Sequence, residues 1–430
     1  MVLTAEILSI GDELLSGDIV NTNLAEIARA LRQHGVVVER ALSVPDEIDA
    51  ISRALRAALS VVDRCIVTGG LGPTSDDLTA AAVAAACDLP LVRHPEAEAQ
   101  VIAYFAARGR SADATQLRQA DLPEGAAVLA NPIGSAPGFA CALGRGEVIC
   151  LPGVPREMRA LLAEVVLPRL AATGRLRPRA RRIYRTLGLG EADLAAHIEP
   201  IAAAARGTRA LRQLVVHYRV AAPEVFITLE AGDAAAAEAA LRELDAPIQA
   251  RLGGVLYGIG EAELAVRVGR ALAEHGLRVA AAESCTGGRV AALLTATAGS
   301  SSYFHGGVVA YDNAIKTALL GVPEATLAAH GAVSEATARA MAEGLLRAFT
   351  GHAELAVAIT GIAGPGGASP DKPVGTVDFA VADAAGTTHR RLHLRGDRPT
   401  IQHSAAMWAL RLVWDRLVQR GLGRVLELDR

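Results

Sequence analysis

Ser284 ends the apolar run RVAAAE and is followed by Cys285-Thr286-Gly287-Gly288 and the helix-type stretch RVAALL. A serine at such a strand-to-helix turn can present its hydroxyl to a ligand, while the N–H groups of Thr286, Gly287 and Gly288 face an oxyanion or a phosphate. An unaided serine is a poor nucleophile and needs a base. No histidine takes an obvious partner position, since His305 and His330 read as solvated turn residues, so the base falls to Lys316. Tyr311, just before it, is available to relay or orient a proton. Composition agrees: Lys316 and Lys372 are the only two lysines among 43 Lys plus Arg. Arginine cannot release its proton at ordinary pH, whereas lysine can once its pKa is lowered. The plainer readings are that Ser284 caps its helix and that both lysines are surface residues. Cys285 is a rival nucleophile, read here as the packed neighbour.

A second group lies near the N-terminus, where the run RCIVT leads into Gly69-Gly70-Leu71-Gly72-Pro73-Thr74-Ser75-Asp76-Asp77. Backbone N–H groups around Gly70, Gly72, Thr74 and Ser75 can cradle phosphate oxygens at a helix start, and Asp76, Asp77 and Glu13 can ligate Mg2+ through oxygen. A bridging metal there would neutralise charge and orient water on phosphorus. The competing reading is that Asp76 and Asp77 serve as N-terminal charges and caps of the helix DDLTAAAVAAA, worth about 0.3–1 kcal/mol.

The elements that must position these groups follow from periodicity. From residue 5 to about 170, apolar strands alternate with helical periods: AEILSI, LAEIARALRQHG, VVVERALSV, DEIDAISRALRAAL and RCIVTGG. Such repetition predicts a mainly parallel, doubly wound α/β sheet whose ligands bind beyond the strand carboxyl ends. A basic stretch, RLRPRARR, then opens a short unit of strand, helix, two strands and helix, judged too small to carry much of its own core. The basic run reads as a solvated inter-domain connection, with a phosphate-backbone contact as the alternative. From the helix ELAVRVGRALAEHG onward, a second α/β layer structure is expected, ending in a long helix with Trp408 and Trp414. The domain boundaries are placed at 1–172, 175–255 and 258–430.

At 430 residues the chain needs several domains. Hydrophobic residues make up 51% and aromatics 3%, which suits Ala/Val/Leu packing of helices on sheets. A net charge of −3 supplies no global field toward nucleic acid or an anionic membrane. The N-terminus, interrupted by Glu6, Asp12 and Glu13, does not read as a signal peptide. The uncharged stretch Val290 to Tyr311 is diluted by Thr, Ser, Gly and His305, and reads as a buried helix, a turn and a strand rather than a membrane span. Cys65, Cys87, Cys141, Cys150 and Cys285 are scattered, odd in number and without metal-type spacing, so reduced thiols in a cytoplasmic protein are expected.

Taken together, the chain resembles the CinA family, the competence/damage-inducible proteins, over nearly its full length. The first domain is similar to the family's molybdopterin-binding-like domain through IGDELLSG, NTN, TGGLGPTSDDLT, NPIGSAPG and LPGVPREM. The third resembles its nicotinamide mononucleotide (NMN) deamidase domain through AESCTGG, VVAYDNAIKTALLGV, GAVSEATARAMAEG and TGIAGPGGASPDKPVGTV. The middle segment, with RTLGLGEADL, is similar to a KH-like α+β insert. The resemblance implies two three-layer α/β domains joined by that insert, and a bifunctional hydrolase of pyridine-nucleotide (NAD) salvage. Its first domain would be an ADP-ribose pyrophosphatase, splitting ADP-ribose to AMP and ribose 5-phosphate with divalent metal, with K+ as an auxiliary ion. Its third would convert NMN to nicotinate mononucleotide and ammonia by a cofactor-free Ser–Lys mechanism. It puts the nucleophile on Ser284, the lysine on Lys316 and the tyrosine on Tyr311. Substrate contacts fall on Gly361, Gly364 and Arg398, the arginine gripping a phosphate, and a homodimer is implied. Two departures stand out: Gln in Gln116–Ala120 where the pattern has Asn, and Ala368 for a Gly. The alternative class is a non-catalytic nucleotide- or pterin-binding scaffold.

Overall fold

The computed structural model describes residues 2–426. The chain divides into two compact units, one running to Arg179 together with Gly232–Ala234, the other comprising Ala180–Ala231 and Ala235 onward.

In the first unit the strands are ordered Val37–Val44, Thr4–Ile10, Arg64–Thr68, Gly146–Leu151, Gly138–Leu143 and Ala127–Leu129. The first four are parallel and the last two join antiparallel. The strands are apolar on both faces because both are covered. Leu8, Ile10, Val67 and Val148 pack against Ile51, Leu55 and Val83 of helices Ile48–Val61 and Thr79–Cys87. Ala5, Ile7, Ile66 and Ile149 pack against Ile27 and Leu31 of Thr22–Gln33, with Met158 and Leu161 of Pro155–Leu161. Each fully buried Leu or Ile contributes about 1.5–3 kcal/mol, so the alternation fixes register on both faces at once. The chain leaves Thr4–Ile10 for one neighbour and returns to Arg64–Thr68 on the other side. The switch point therefore lies at the carboxyl ends of those two strands, as the periodicity predicts.

The second unit holds two sheets. The middle segment forms Val215–Ala221, Glu224–Asp233, Arg179–Leu187 and Leu256–Ile259, in that order, with helix Glu191–Ala205 among those covering it. Contrary to expectation it has a core of its own, built from residues such as Tyr184, Leu194, Ile198, Ile227 and Ile248. The basic run carries the boundary between the units at Arg179 and is exposed at Arg177, Arg179 and Arg181, as a solvated connection would be, but several of its arginines are also paired. Arg175 forms a two-pronged bond to Asp63, Arg182 pairs with Asp245, and Arg181 pairs with Glu261. Tyr184 also donates to Asp245 at 2.9 Å.

The last sheet is ordered Phe304–Val309, Val279–Glu283, Leu355–Gly361, Thr376–Asp383 and Gly386–His393, the first three parallel and the rest antiparallel. Its faces differ in size. Val279, Val357, Ile359 and Phe379 meet the long helix Arg398–Gln419, where Trp408 and Trp414 are buried. Ala280, Ala282, Ala356, Ala358 and Ala380 form the opposite face, and their small side chains let Met341, Ala342 and Leu345 of Glu335–Ala348 approach closely. His305 lies on strand Phe304–Val309 rather than in a turn, its ring stacked on His352, while His330 ends helix Glu324–His330 and is exposed. Among the described residues no helix is long and apolar enough to cross a membrane.

Candidate functional site

In the second unit a cavity of about 320 Å³ opens at the carboxyl ends of Val279–Glu283 and Leu355–Gly361. Ser284, Tyr311, Lys316, Gly361, Gly364 and Arg398, separated by up to 114 residues (284 to 398), all line it. Ser284 follows directly on its strand, with its N–H donating to Ile359 O at 2.9 Å. It does not cap the following helix: the N-cap of Arg289–Thr295 is Gly288, without a side-chain bond. Lys316 is 1% exposed, and its ammonium donates to Tyr311 O at 3.1 Å. Burial pulls its pKa below the ordinary lysine value, against the opposing pull of Asp312 and Cys285. The helix that carries it, Asn313–Leu320, is capped by Asp312 through Ala314 N at 2.7 Å.

Tyr311 is 59% exposed, and its hydroxyl takes a 2.8 Å hydrogen bond from Arg398, which also donates to Gly364 O at 2.6 Å. The tyrosine therefore holds Lys316 by its main chain and Arg398 by its side chain. Thr286, Gly287 and Gly288 do not line the cavity. Gly287 N closes a turn on Ser284 O, and Gly288 N donates to the Glu283 carboxylate at 3.0 Å. Cys285 lines the wall but is a buried thiol, pushed up to about 12 by that burial. Lys372 lies outside the lining, half-buried, donating to His330 O at 2.9 Å.

In the first unit, a cavity of about 250 Å³ sits at the switch point, lined by Glu13, Asp46, Gly70, Asp76, Asp77 and Asn23 among others, with no Lys, Arg or His in its wall. Gly69 is held at φ +110° where the two strand ends meet, and a Cβ there would lie 2.3 Å from Ile10 O. Asp77 closes its own loop: it accepts from Gly72 N at 2.7 Å and from Thr74 N at 2.8 Å, and its Oδ2 also takes the Thr74 hydroxyl. The expected cap is thus absent. Helix Thr79–Cys87 starts behind Leu78 with no side-chain cap, and the N–H groups of Gly72 and Thr74 are spent on Asp77. Gly72, Thr74 and Ser75 stand outside the lining, while Gly70 stands within it.

The carboxylate-rich, oxygen-bearing wall suits a hard divalent cation of the Mg2+ class, which takes one or two protein carboxylates and completes its shell with phosphate and water. Asp46 is raised above the usual carboxylate range, first by burial and then by the neighbouring Asp12, Glu13 and Asp76 charges, a repulsion that a cation would relieve. A ready-made cage is not present: among the described residues no three His, Cys, Asp or Glu converge to hold a metal.

Comparison with known proteins adds a lineage. The family model for the CinA C-terminal domain matches residues 261–417, and that for a probable molybdopterin binding domain matches 6–172. The putative competence-damage inducible protein of Symbiobacterium thermophilum is 43% identical over 424 residues, covering 96% of this chain and 98% of its own. The chain belongs to the CinA family. A CinA-like protein of Anaeromyxobacter sp. strain Fw109-5 is likewise 43% identical over 416 residues, 96% of this chain and 99% of its own. Among solved structures, a CinA superfamily protein from Klebsiella pneumoniae is 38% identical, covers 36% of this chain and 96% of its own, and superposes with a TM-score of 0.35.

Several residues that shape the two cavities of this CinA-family chain escaped the sequence reading. Glu283, 1% exposed, accepts from Gly288, Val290 and Ala291 N–H groups, occupying the N-terminus of helix Arg289–Thr295 with a built-in anion. Asp46 follows the strand Val37–Val44, where the strand-end rule already points. Asn23 lay inside the quoted NTN run. Its amide donates to Thr68 Oγ1 and Gly153 O, and because Thr68 in turn donates to Pro152 O, the amide nitrogen cannot exchange places with its oxygen. Gly344 carries no local signal at all. A Cβ there would fall 1.7 Å from Leu320 O, the end of the helix that bears Lys316. Gly344→Ala is expected to push that helix outward, costing about 1–3 kcal/mol in a denaturant melt and depressing any activity of the cavity in the surviving folded fraction. An unchanged melt would mean that the two helices do not need their close approach.

Proposed function

We propose that the second unit is an amidohydrolase converting NMN to nicotinate mononucleotide and ammonia, and that the first hydrolyses ADP-ribose to AMP and ribose 5-phosphate with a divalent cation. The observation that carries the amidase reading is Lys316, buried in the wall that also holds Ser284, with no histidine among the cavity residues. Burial favours the neutral amine, the form able to take a proton. Ser284 Oγ attacks the carboxamide carbon as Lys316 accepts its proton. Lys316 then returns that proton to the departing ammonia, and water cleaves the acyl-enzyme. The tetrahedral oxyanion falls to N–H groups of the glycine-rich loop, because those of Gly287 and Gly288 are engaged and those of Gly366 and Gly367 donate to nothing among the described residues. Arg398 uses two of its five N–H groups on Gly364 and Tyr311, leaving the others for the substrate phosphate.

In the first unit, one or two of the carboxylates Glu13, Asp46 and Asp76 would ligate the cation, with phosphate and water completing its shell, and the cation would supply charge neutralisation at a diphosphate and orientation of water. Asp77 keeps the loop closed behind them. A second reading, nucleotide or pterin binding without turnover, is favoured by the engagement of Asp77 and the missing three-ligand cage.

Release of nicotinate mononucleotide from NMN, followed for the full chain, tests the amidase. Chelation separates the two activities: EDTA is expected to abolish ADP-ribose hydrolysis and to spare NMN deamidation. Equal loss of both would remove the metal assignment. Absence of ADP-ribose turnover at any metal concentration, with binding retained, would leave the first unit as a binding domain. Asp76→Asn is the sharper variant here, since Asp77→Asn also unties the loop.

A further inference from the structure

The cysteines scattered in sequence are not scattered in space. Cys65, Cys141 and Cys150 share one hydrophobic cluster of the first unit, and Cys87 packs against it. Cys87, the last residue of helix Thr79–Cys87, and Cys141, on strand Gly138–Leu143, bring their sulfurs to 3.6 Å. Both thiols turn toward the same acceptor, Ala142 O, at 3.5 and 3.7 Å. Cys65 and Cys150 are fully buried, whereas Cys87 is partly exposed.

We propose that Cys87 and Cys141 are a redox-modification site, a dithiol that accepts oxidation from a small-molecule disulfide and closes to an intramolecular bond. The sulfurs need approach by only about 1.5 Å to reach the bonded separation of about 2.05 Å. Cys87 is the entry point because it alone of the pair is reachable from solvent. Its thiolate attacks one sulfur of the disulfide, the S–S bond of the reagent breaks, and one thiol leaves with a solvent proton. Cys141 then gives up its proton to solvent and attacks Cys87 Sγ, expelling the second thiol. Two protein thiols are thereby oxidised by two electrons, and one disulfide is reduced to two thiols. Burial, then the Cys141 neighbour and Asp88, push Cys87 up to about 12. The exchange is therefore slow at neutral pH and gains about tenfold per pH unit as the thiolate fraction grows.

The bond would span 54 residues of chain and pin the far end of a helix whose first residue, Thr79, donates to Gly69 O beside the switch-point cavity. This site is independent of the hydrolase reading. The test incubates the full native chain with excess oxidised glutathione at mildly alkaline pH and follows free thiols, intact mass and a non-reducing peptide map. Free thiols are expected to fall from five by two, with loss of two hydrogens in mass, a cross-linked peptide joining Cys87 to Cys141, a raised Tm, and full reversal by reductant. Cys141→Ser is expected to stop at a glutathione adduct on Cys87. Should that variant not fold, the wild-type map decides alone. The proposal is overturned if the native chain keeps all its thiols while the urea-unfolded chain loses them, if the map joins another pair, or if Cys141→Ser closes a disulfide as readily.

Discussion

Ser284→Ala is expected to lower NMN turnover by several orders of magnitude while leaving the melting transition close to that of the unchanged protein. The two halves of that expectation have separate causes. Ser284 caps no helix, so removing its hydroxyl oxygen takes away no capping bond. The kinetic loss is large because a nucleophile and its base act as a unit, and deleting either member leaves only the binding contribution of the rest, a difference on the order of 10³-fold or more. Cys285 is the control. It is adjacent, it lines the same wall, and a thiol is intrinsically the better nucleophile. It is also 4% exposed and held up to about 12 by burial, so almost none of it is thiolate at working pH. Cys285→Ala should therefore cost packing, about 1 kcal/mol for a small buried side chain, and little turnover. Steady-state kcat on NMN for the two variants, beside their thermal midpoints, checks this. A damaging Cys285→Ala, with inactivation by a thiol reagent only where Cys285 is retained, would move the nucleophile to sulfur.

What the sequence made legible, and what it hid, divides by the range of the interaction. The helix of Thr22–Gln33 was readable because its buried residues recur at helical spacing, and the strand of Arg64–Thr68 because it is a short continuous apolar run, both properties of consecutive side chains. Lys316 was readable from composition, since a chain that otherwise chooses arginine signals a need when it does not. The fate of the polar side chains was not local. Arg182 meets Asp245 across 63 residues, and Cys87 meets Cys141 across 54. Neither pairing leaves a period in the sequence, and both followed only once strand order was fixed. Asp77 misled for a different reason. An Asp two residues before a helix has the composition of a cap, yet the proline and glycine upstream bend the loop back so that its own N–H groups reach the carboxylate first. The turn at Thr286–Gly288 misled in the same way, because the competing anion, Glu283, stands one residue before the serine that drew attention.

Lys316→Arg is expected to be nearly as harmful as Ser284→Ala, although it keeps the charge. A general base must be neutral when the reaction begins, and burial moves Lys316 in that direction, while Asp312 and Cys285 pull against it. A guanidinium stays protonated under all working conditions. It is also larger, and the site is closed, with Lys316 1% exposed and tied to Tyr311 O. Lys372→Arg, by contrast, replaces one donor to His330 O, outside the cavity wall, with another and should keep most of the turnover. The sign of the pH dependence follows from the same shift. Turnover rises with pH as Lys316 loses its proton, with its midpoint below the ordinary lysine value, and the free-enzyme profile of kcat/KM reports it. Asp312→Asn separates electrostatics from structure. Asparagine caps a helix about as well as aspartate, so Ala314 N keeps its acceptor, but the charge that favours the ammonium is gone. The rising limb is then expected to move to lower pH with the melting transition little changed. A limb that stays in place in Asp312→Asn, together with turnover retained in Lys316→Arg, would take the proton away from Lys316 and give it to a bound water. A shifted limb with a dead Lys316→Arg leaves the amine as the only group in the wall whose titration fits both results.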